Sequence, residues 1–201
     1  ARHVQSQGGY LSAEDFAQHT STWDDPVSTV YRDTQIVECP PNGQGIVALM
    51  ALNILEGFDL KSLGYGSAVY YHHVIEALKL AFADGFAHIA DPSRVAVPIE
   101  QTLDKEYAAA RRKLIDLDRA MQNAITGLPR GGTVYLTTID KDRNACSFIN
   151  SIYYGFGSGV IVPGTGIVLQ NRGASFSLDE AHPNALAPDK RPFHTIIPAM
   201  A

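Results

Sequence analysis

Apolar positions in this chain fall into two regimes that meet near residue 130. Before it, helical spacing dominates. Ile46 to Leu55 is apolar nearly all round, which predicts a buried helix ended by Gly57. Tyr71, Ile75, Leu78, Phe82, Phe86 and Ile89 recur every three or four residues, which predicts an amphipathic helix along that stripe, closed by Asp91-Pro92. A further helix is expected from Asp104 to about Ile115, and Ser12 with Asp15 resembles a capping box that opens a short helix through Phe16 and Ala17. Ala1-Arg2-His3-Val4 reads as neither a signal peptide nor a helix start. Val30 to Val37 reads as one strand, followed by a turn at Pro40-Pro41-Asn42-Gly43.

Beyond residue 130 the pattern is that of strands. Thr133 to Asp140 and Ala145 to Ile152 are β-rich and flank the turn Lys141-Asp142-Arg143. Gly155, Gly157 and Gly159 follow, then the short runs Val160-Ile161-Val162 and Ile167-Val168-Leu169 around Pro163-Gly164. Asp179 to Arg191 is a polar loop, and His194 to Ile197 reads as the start of another strand. Helices first and strands later indicate an α+β chain, not the alternation of a doubly wound fold.

Composition narrows the classes. Of the 201 residues, 45% are hydrophobic and 18% charged, too apolar for a disordered chain. Sixteen Lys and Arg against 21 Asp and Glu leave no basic face for nucleic acid, and no apolar run approaches the length of a membrane span. Two cysteines, Cys39 and Cys146, permit at most one disulfide, and Cys146, beside Ala145 in mid-strand, is expected to be a small buried residue. The chain begins with Ala and stops inside the apolar Thr195-Ile196-Ile197-Pro198-Ala199-Met200-Ala201 segment, so it reads as an internal piece of a longer protein.

The hairpin carries the first chemical signal. With three residues in its loop, Asp140 faces Asn144, and counting outward brings Thr133 opposite Ser151 on one face of the sheet, with Cβ atoms about 4.5–5.5 Å apart. A one-residue slip would abolish that pairing. Two opposed hydroxyls are ordinary in a sheet, so the pairing alone assigns no function. Other candidates have plainer readings. His72-His73 point in different directions on a helix, with no Cys or carboxylate suitably spaced for a metal. Gly43-x-Gly45 lacks the lysine of a phosphate loop and reads as a tight turn. Gly155-x-Gly157-x-Gly159 leads into a strand, not a helix, and reads as close backbone approach.

Several motifs, in order along nearly all of the chain, resemble the gamma-glutamyltransferase family of N-terminal nucleophile hydrolases. They are Pro40-Pro41-Asn42-Gly43-Gln44-Gly45, Ala51-Leu52-Asn53-Ile54-Leu55-Glu56, Glu76 to Asp84 with Asp91-Pro92, Thr133-Val134-Tyr135 with Asp140-Lys141-Asp142, Phe156-Gly157-Ser158-Gly159, Gly166 to Asn171, and Asn184-Ala185 with Lys190-Arg191-Pro192. The resemblance implies a four-layer αββα sandwich, of which this chain is an incomplete internal portion. It implies that residues 1–132 end a large subunit and residues 133–201 begin a small one. The chain would cut itself at Gly132–Thr133, making Thr133 both nucleophile and, through its free α-amino group, general base, with Ser151 as the hydroxyl that orients it. The chemistry is coherent: a hydroxyl is a weak nucleophile, while an N-terminal amine titrates near 7.7–8.0.

The substrate positions depart from the family pattern. Tyr153 stands in place of an asparagine, Arg172 of a glutamine, Ser175 of the aspartate that pairs with an α-ammonium, and His194 and Thr195 of two serines. Gly132 stands where relatives carry aspartate. Losing the aspartate removes the ammonium's partner, while Arg172 adds a fork suited to a carboxylate. The resemblance thus implies hydrolysis, with or without acyl transfer, of a small-molecule amide bearing a carboxylate, as in glutathione's γ-glutamyl group, a glutaryl group or oxamate. A non-catalytic or unprocessed relative stays open. No metal or organic cofactor, nucleic acid or membrane is implied; the subunits of one precursor are the expected partners, and a homo-oligomer is open. The carboxylate-binding arginine and the oxyanion-hole glycines of the family would lie outside this chain. The compartment stays open between cytoplasm, which is favoured, and periplasm.

Overall fold

The computed structural model describes residues 1–122 and 131–201, with side chains from residue 135 onward in the second stretch. Pro129 and Arg130, before the expected cut, lie outside the described residues. The chain opens with two short helices, α1 (Arg2–Ser6) and α2 (Ala13–Ala17). The first corrects the reading of the N-terminus as non-helical; the second is capped as expected, Ser12 and Asp15 bonding reciprocally. A hairpin of β1 (Val27–Tyr31) and β2 (Thr34–Glu38) then replaces the single strand expected over Val30 to Val37. Arg32 and Asp33 make the turn between them at φ 48° and 68°, a conformation that Asn and Gly usually signal and that Arg-Asp does not.

The helical layer follows: α3 (Gly45–Leu55), α4 (Ala68–His88), α5 (Ile99–Leu103) and α6 (Lys105–Arg112). Helix α3 is buried nearly all round, as its composition predicts, and serves two apolar clusters. Its first half, Ile46, Val47, Met50 and Ala51, packs with Ala81, Ile89 and Phe193; its second half, Ile54 and Leu55, packs with Ala77, Leu80 and Ala108. The seam of α4 is therefore His73, Ala77, Leu80, Ala81 and Gly85, not the aromatic stripe. Tyr71 and Ile75 of that stripe are half exposed, while Leu78, Phe82 and Phe86 only flank the first cluster. Small residues win because α3 comes close: a Cβ on Gly85 would stand 2.6 Å from Val47 Cγ2.

Polar groups inside this layer are matched. Asn53, fully buried, accepts from Thr29 Oγ1 and Lys105 Nζ at 2.7 Å each, and donates to the Leu103 carbonyl at 2.9 Å. Arg112 donates to the carbonyls of Ile54 (2.6 Å) and Asn53 (3.0 Å), two of the groups a helix end leaves open. His73 is buried against Val69 and His72 is bonded to the Asp116 carbonyl. Among the described residues no group of His, Cys, Asp or Glu could hold a metal ion, and no helix is long and apolar enough to cross a membrane.

A second hairpin, β3 (Gly131–Ile139) and β4 (Ala145–Tyr154), forms its own two-stranded sheet. Contrary to expectation Cys146 is exposed, as is Cys39, and both are free thiols. The runs around Val160 and Val168 meet in the bridge Ile161–Val168, and the segment from His194 joins the first half of the chain through isolated bridges, Gly43–His194 and Val37–Met200, not as a full strand. The described residues thus combine a helical layer with two separate two-stranded sheets, an α+β architecture.

Glu38, at the end of β2, is one of the buried polar groups left without a full set of hydrogen bonds. Its Oε2 has no partner among the described residues, and its side chain lies so close to Gly45 that a Cβ there would stand 2.5 Å from that oxygen. Burial pushes its carboxyl up to about 7. In the unfolded chain the same group ionises near 4.5, so raising the pH from 5 to 8 favours the unfolded state. Stability should therefore fall across that window, and Glu38→Gln should flatten the fall, as read from urea midpoints at pH 5 and pH 8.

Candidate active site

The β3–β4 turn sets the register of everything that follows. Asp140 Oδ1 accepts the backbone N–H groups of Asp142 and Asn144, each at 2.9 Å, its Oδ2 accepts from Asn144 Nδ2 at 2.8 Å, and its own N–H donates to the Asn144 carbonyl at 3.0 Å. From there the ladder runs in step from Ile139–Ala145 to Thr133–Ser151, the pairing counted from the sequence. The side chain of Thr133 lies outside the described residues; its backbone position opposite Ser151 does not.

Just past that pair the ladder slips. Gly131 pairs with Tyr154, so β4 holds one residue more than β3 between the two pairings, a β-bulge. Tyr153 sits in it at φ 78°, a conformation that is strained for a bulky side chain. Three contacts hold it. Its N–H donates to Ser151 Oγ (3.1 Å), its ring meets that of Tyr154 edge-on at 4.1 Å, and the Arg172 guanidinium lies over it at 5.5 Å. Asn171 clamps the next turn, accepting the Tyr154 N–H (3.0 Å) and donating to the Gly157 carbonyl (3.0 Å). Gly157 has φ 66° and no room for a Cβ, which would stand 2.5 Å from the Leu169 carbonyl oxygen. Burial, then the hydrogen bond with Tyr154, pushes the Tyr153 hydroxyl up to about 12, so it stays protonated at neutral pH.

Arg172 opens a 3-10 turn, Arg172–Ser175, and is only 4% exposed. Its backbone N–H bonds to the Gln170 side chain, its Nη1 donates to Thr195 Oγ1 at 2.6 Å, and its Nη2 has no partner among the described residues. Burial pushes its pKa down from the usual arginine value, but guanidinium remains the charged form, and a buried charge without an anion is costly. Ser175 is committed elsewhere: its hydroxyl lies 2.7 Å from the Arg172 carbonyl and 2.9 Å from that of Phe193.

His194 and Thr195 face opposite sides of an extended segment. Phe193 and Thr195 line a cavity of about 230 Å³ together with Tyr153, Tyr154, Ser175 and Phe86. His194 and Ile196 instead line a second cavity of about 420 Å³, beside Trp23, Cys39 and Asn42. Burial, and then the charge of Arg172, pushes the His194 imidazole down to about 4, so it is neutral at pH 7. Tyr153, Ser175 and Thr195 therefore share one cavity wall beside the Thr133–Ser151 end of the hairpin. Arg172 lies behind that wall, and His194 turns away from it.

Residues of both halves build this site. Asp91, 1% exposed, accepts the Arg191 N–H (2.8 Å) and Arg191 Nη2 (3.0 Å) and is bonded by Ser93. Asn184 donates to the Ser175 carbonyl (2.7 Å) and accepts the Phe193 N–H (3.0 Å). Neither was assigned a role from sequence, although Asp91-Pro92, Asn184-Ala185 and Lys190-Arg191-Pro192 all stand among the motifs noted above. The signal was there in the residue type: a carboxylate or amide in a short motif between apolar segments must find a buried partner.

Comparisons with known proteins place this arrangement. The family model for gamma-glutamyltranspeptidase matches residues 1–201. The glutathione hydrolase-like YwrD proenzyme of Bacillus subtilis is 45% identical over 199 residues, covering 98% of this chain and 37% of the relative. The oxamate amidohydrolase proenzyme of Klebsiella pneumoniae is 39% identical over 201 residues, covering all of this chain and 38% of the relative. The crystal structure of cephalosporin acylase from Bacillus halodurans superposes with a TM-score of 0.84 at 50% identity, covering 98% of this chain and 35% of that one. The chain thus spans little more than a third of the length of these relatives.

Asp91 yields a pH prediction. Burial raises its carboxyl, but the bonds from Arg191 and Ser93 outweigh that and hold it well below the usual range. Its stabilisation is therefore fully present above the unfolded value of 3.8 and is lost as the pH falls below it. Asp91→Asn should cost about 1.5–3 kcal/mol at pH 7, the range for hydrogen bonds to a charged group. The cost should shrink towards pH 3 in denaturant titrations.

Proposed function

Because this chain belongs to the gamma-glutamyltranspeptidase family, we propose that it carries the nucleophile region of a precursor that cuts itself between Gly132 and Thr133 and then cleaves amides. Residues 1–132 end the large subunit in this reading, and residues 133–201 begin the small one. The observation that carries it is the ladder pairing of Thr133 with Ser151, one step before the bulge that holds Tyr153 strained.

The chemistry runs as follows. The free α-amino group of Thr133 takes the proton of the Thr133 hydroxyl as Oγ attacks the amide carbonyl. The tetrahedral species collapses, the amine leaves with that proton, and the acyl group stays as an ester on Oγ. Water, deprotonated by the same amine, attacks the ester and regenerates the hydroxyl; a second amine in place of water completes an acyl transfer. Ser151 Oγ, which accepts the Tyr153 N–H, orients the nucleophile.

The acyl group carries a carboxylate. Arg172 is a buried cation whose Nη2 has no partner among the described residues, and Thr195 stands between it and the cavity. The Ser175 hydroxyl is held by two carbonyls, and among the described residues no Asp or Glu lines the cavity, so an α-ammonium finds no partner among them in the wall. This favours glutaryl or oxamate amides over γ-glutamyl ones, with hydrolysis ahead of transfer. Relatives named as an oxamate amidohydrolase and a cephalosporin acylase support this branch, and one named glutathione hydrolase-like keeps the γ-glutamyl group in the comparison.

The full-length protein should migrate as two fragments on a denaturing gel. Thr133→Ala should leave one band and lower amine release on the order of 10⁴-fold or more; a cleaved, active Thr133→Ala protein overturns the mechanism, and an uncleaved, inactive wild type makes this a non-catalytic relative. In the processed enzyme Arg172→Ala should raise KM for a carboxylate-bearing amide about 10- to 100-fold, the value of a hydrogen-bonded charge. An unchanged KM removes Arg172 from substrate recognition.

A further inference from the structure

The cavity beside the hairpin end offers donors and almost nothing else. Asn184 spends both ends of its amide on Ser175 and Phe193, Ser175 spends its hydroxyl on backbone carbonyls, and the Tyr153 and Tyr154 hydroxyls bond to each other. One hydroxyl of the tyrosine pair keeps its own proton, and three further groups on the wall have one to give. His182 Nδ1 accepts the Asn184 N–H at 3.0 Å, which places the proton of the neutral ring on Nε2. Ser177 Oγ accepts the Asp179 N–H at 3.1 Å, and Thr195 Oγ1 accepts from Arg172 at 2.6 Å. No described residue takes the protons of these three groups.

We infer that this cavity is a carboxylate subsite and that His182 is a specificity-determining residue within it, an inference that rests on the amide-cleaving reading above. The cavity reaches from Tyr153 and Tyr154, beside the nucleophile's strand, to Ser177 and His182 on the following loop, and Phe86, Phe176 and Phe193 complete its wall. Its volume of about 230 Å³ and its aromatic sides suit a short methylene chain. Its donors suit an acceptor-only head group, and a carboxylate is the strongest such acceptor. Arg172, behind Thr195, adds positive potential without entering the cavity. The occupant is an ω-carboxyacyl chain of glutaryl type, its amide carbon at the hairpin end and its carboxylate towards His182. Oxamate, whose carboxylate is bonded directly to the amide carbon, has no chain to span that wall.

A carboxylate on the leaving amine is the competing source, and the test separates the two. On the full-length processed enzyme, kcat and KM are measured for glutaryl-4-nitroanilide, butyryl-4-nitroanilide, which lacks the carboxylate, and butyryl-4-aminobenzoate, which carries it on the amine. His182→Phe should lower the ratio of glutaryl to butyryl kcat/KM about 10- to 100-fold, chiefly through KM, and His182→Gln, which keeps a donor, should recover most of the loss. An unchanged ratio overturns the proposal, and so does a loss that follows the aminobenzoate carboxylate. Calorimetric binding of glutarate against butyrate to the same proteins keeps the two readings apart. Glutarate preference that His182→Phe removes supports the subsite even if no amide is cleaved. Amide cleavage without that preference leaves the amidase standing and overturns the subsite.

Discussion

The geometry around the candidate nucleophile depends on one buried carboxylate. Asp91, just after α4, grips Arg191 by backbone and side chain, and this fixes the start of the extended segment that follows. From there the chain has little freedom. Asn42 donates to the Pro192 carbonyl at 2.6 Å, Phe193 enters the cluster of Ile46, Val47 and Ile89, and Gln44 donates to the Thr195 carbonyl at 3.0 Å. With Phe193 buried, the two-residue alternation of extended backbone turns Thr195 to the same side and His194 to the other. That cavity wall is a consequence of where the core takes its phenylalanine.

Strain and charge are concentrated on the opposite wall. Tyr153 in the bulge and Arg172 in its short turn each occupy a state that costs free energy alone, one in backbone conformation and the other in desolvation. They offset each other in part, because the tyrosine ring is the face over which the guanidinium lies. The guanidinium Nη2 stays buried without a partner among the described residues, in surroundings where a water-excluded charge interacts strongly. A wall assembled this way favours an anionic ligand before any ligand arrives.

Legibility from sequence followed the range of the interactions. The β3–β4 register could be counted because a three-residue loop with Asp140 at its start determines it locally. Helix α3 and the cap of α2 were equally local. The β1–β2 turn was hidden because Arg32 and Asp33 adopt positive φ without Gly or Asn to announce it. The α4 stripe misled because periodicity reports an apolar face, whereas the buried seam was chosen by how closely α3 could approach Gly85. Cys146 was taken as buried because a strand sequence does not say which face is covered. His194 and Thr195 were taken as a pair because adjacency in sequence was carried over from a resemblance, while backbone alternation separates them.

The same contacts bear on what a cut at Gly132–Thr133 would do. The segment from residue 189 is tied to residues before 100 by Asp91–Arg191, by Arg94–Asp189, by the Gly43–His194 and Val37–Met200 bridges, and by Phe193 in the apolar cluster. Breaking one peptide bond removes none of these. Parting the two pieces would expose Phe193 and leave Asp91 as a buried carboxylate without its cation, which is the costly way to break such a pair. The pieces on either side of a cleaved bond would therefore stay together. Cleavage would change chiefly the new chain end, where an amine appears on the residue that faces Ser151 across the ladder.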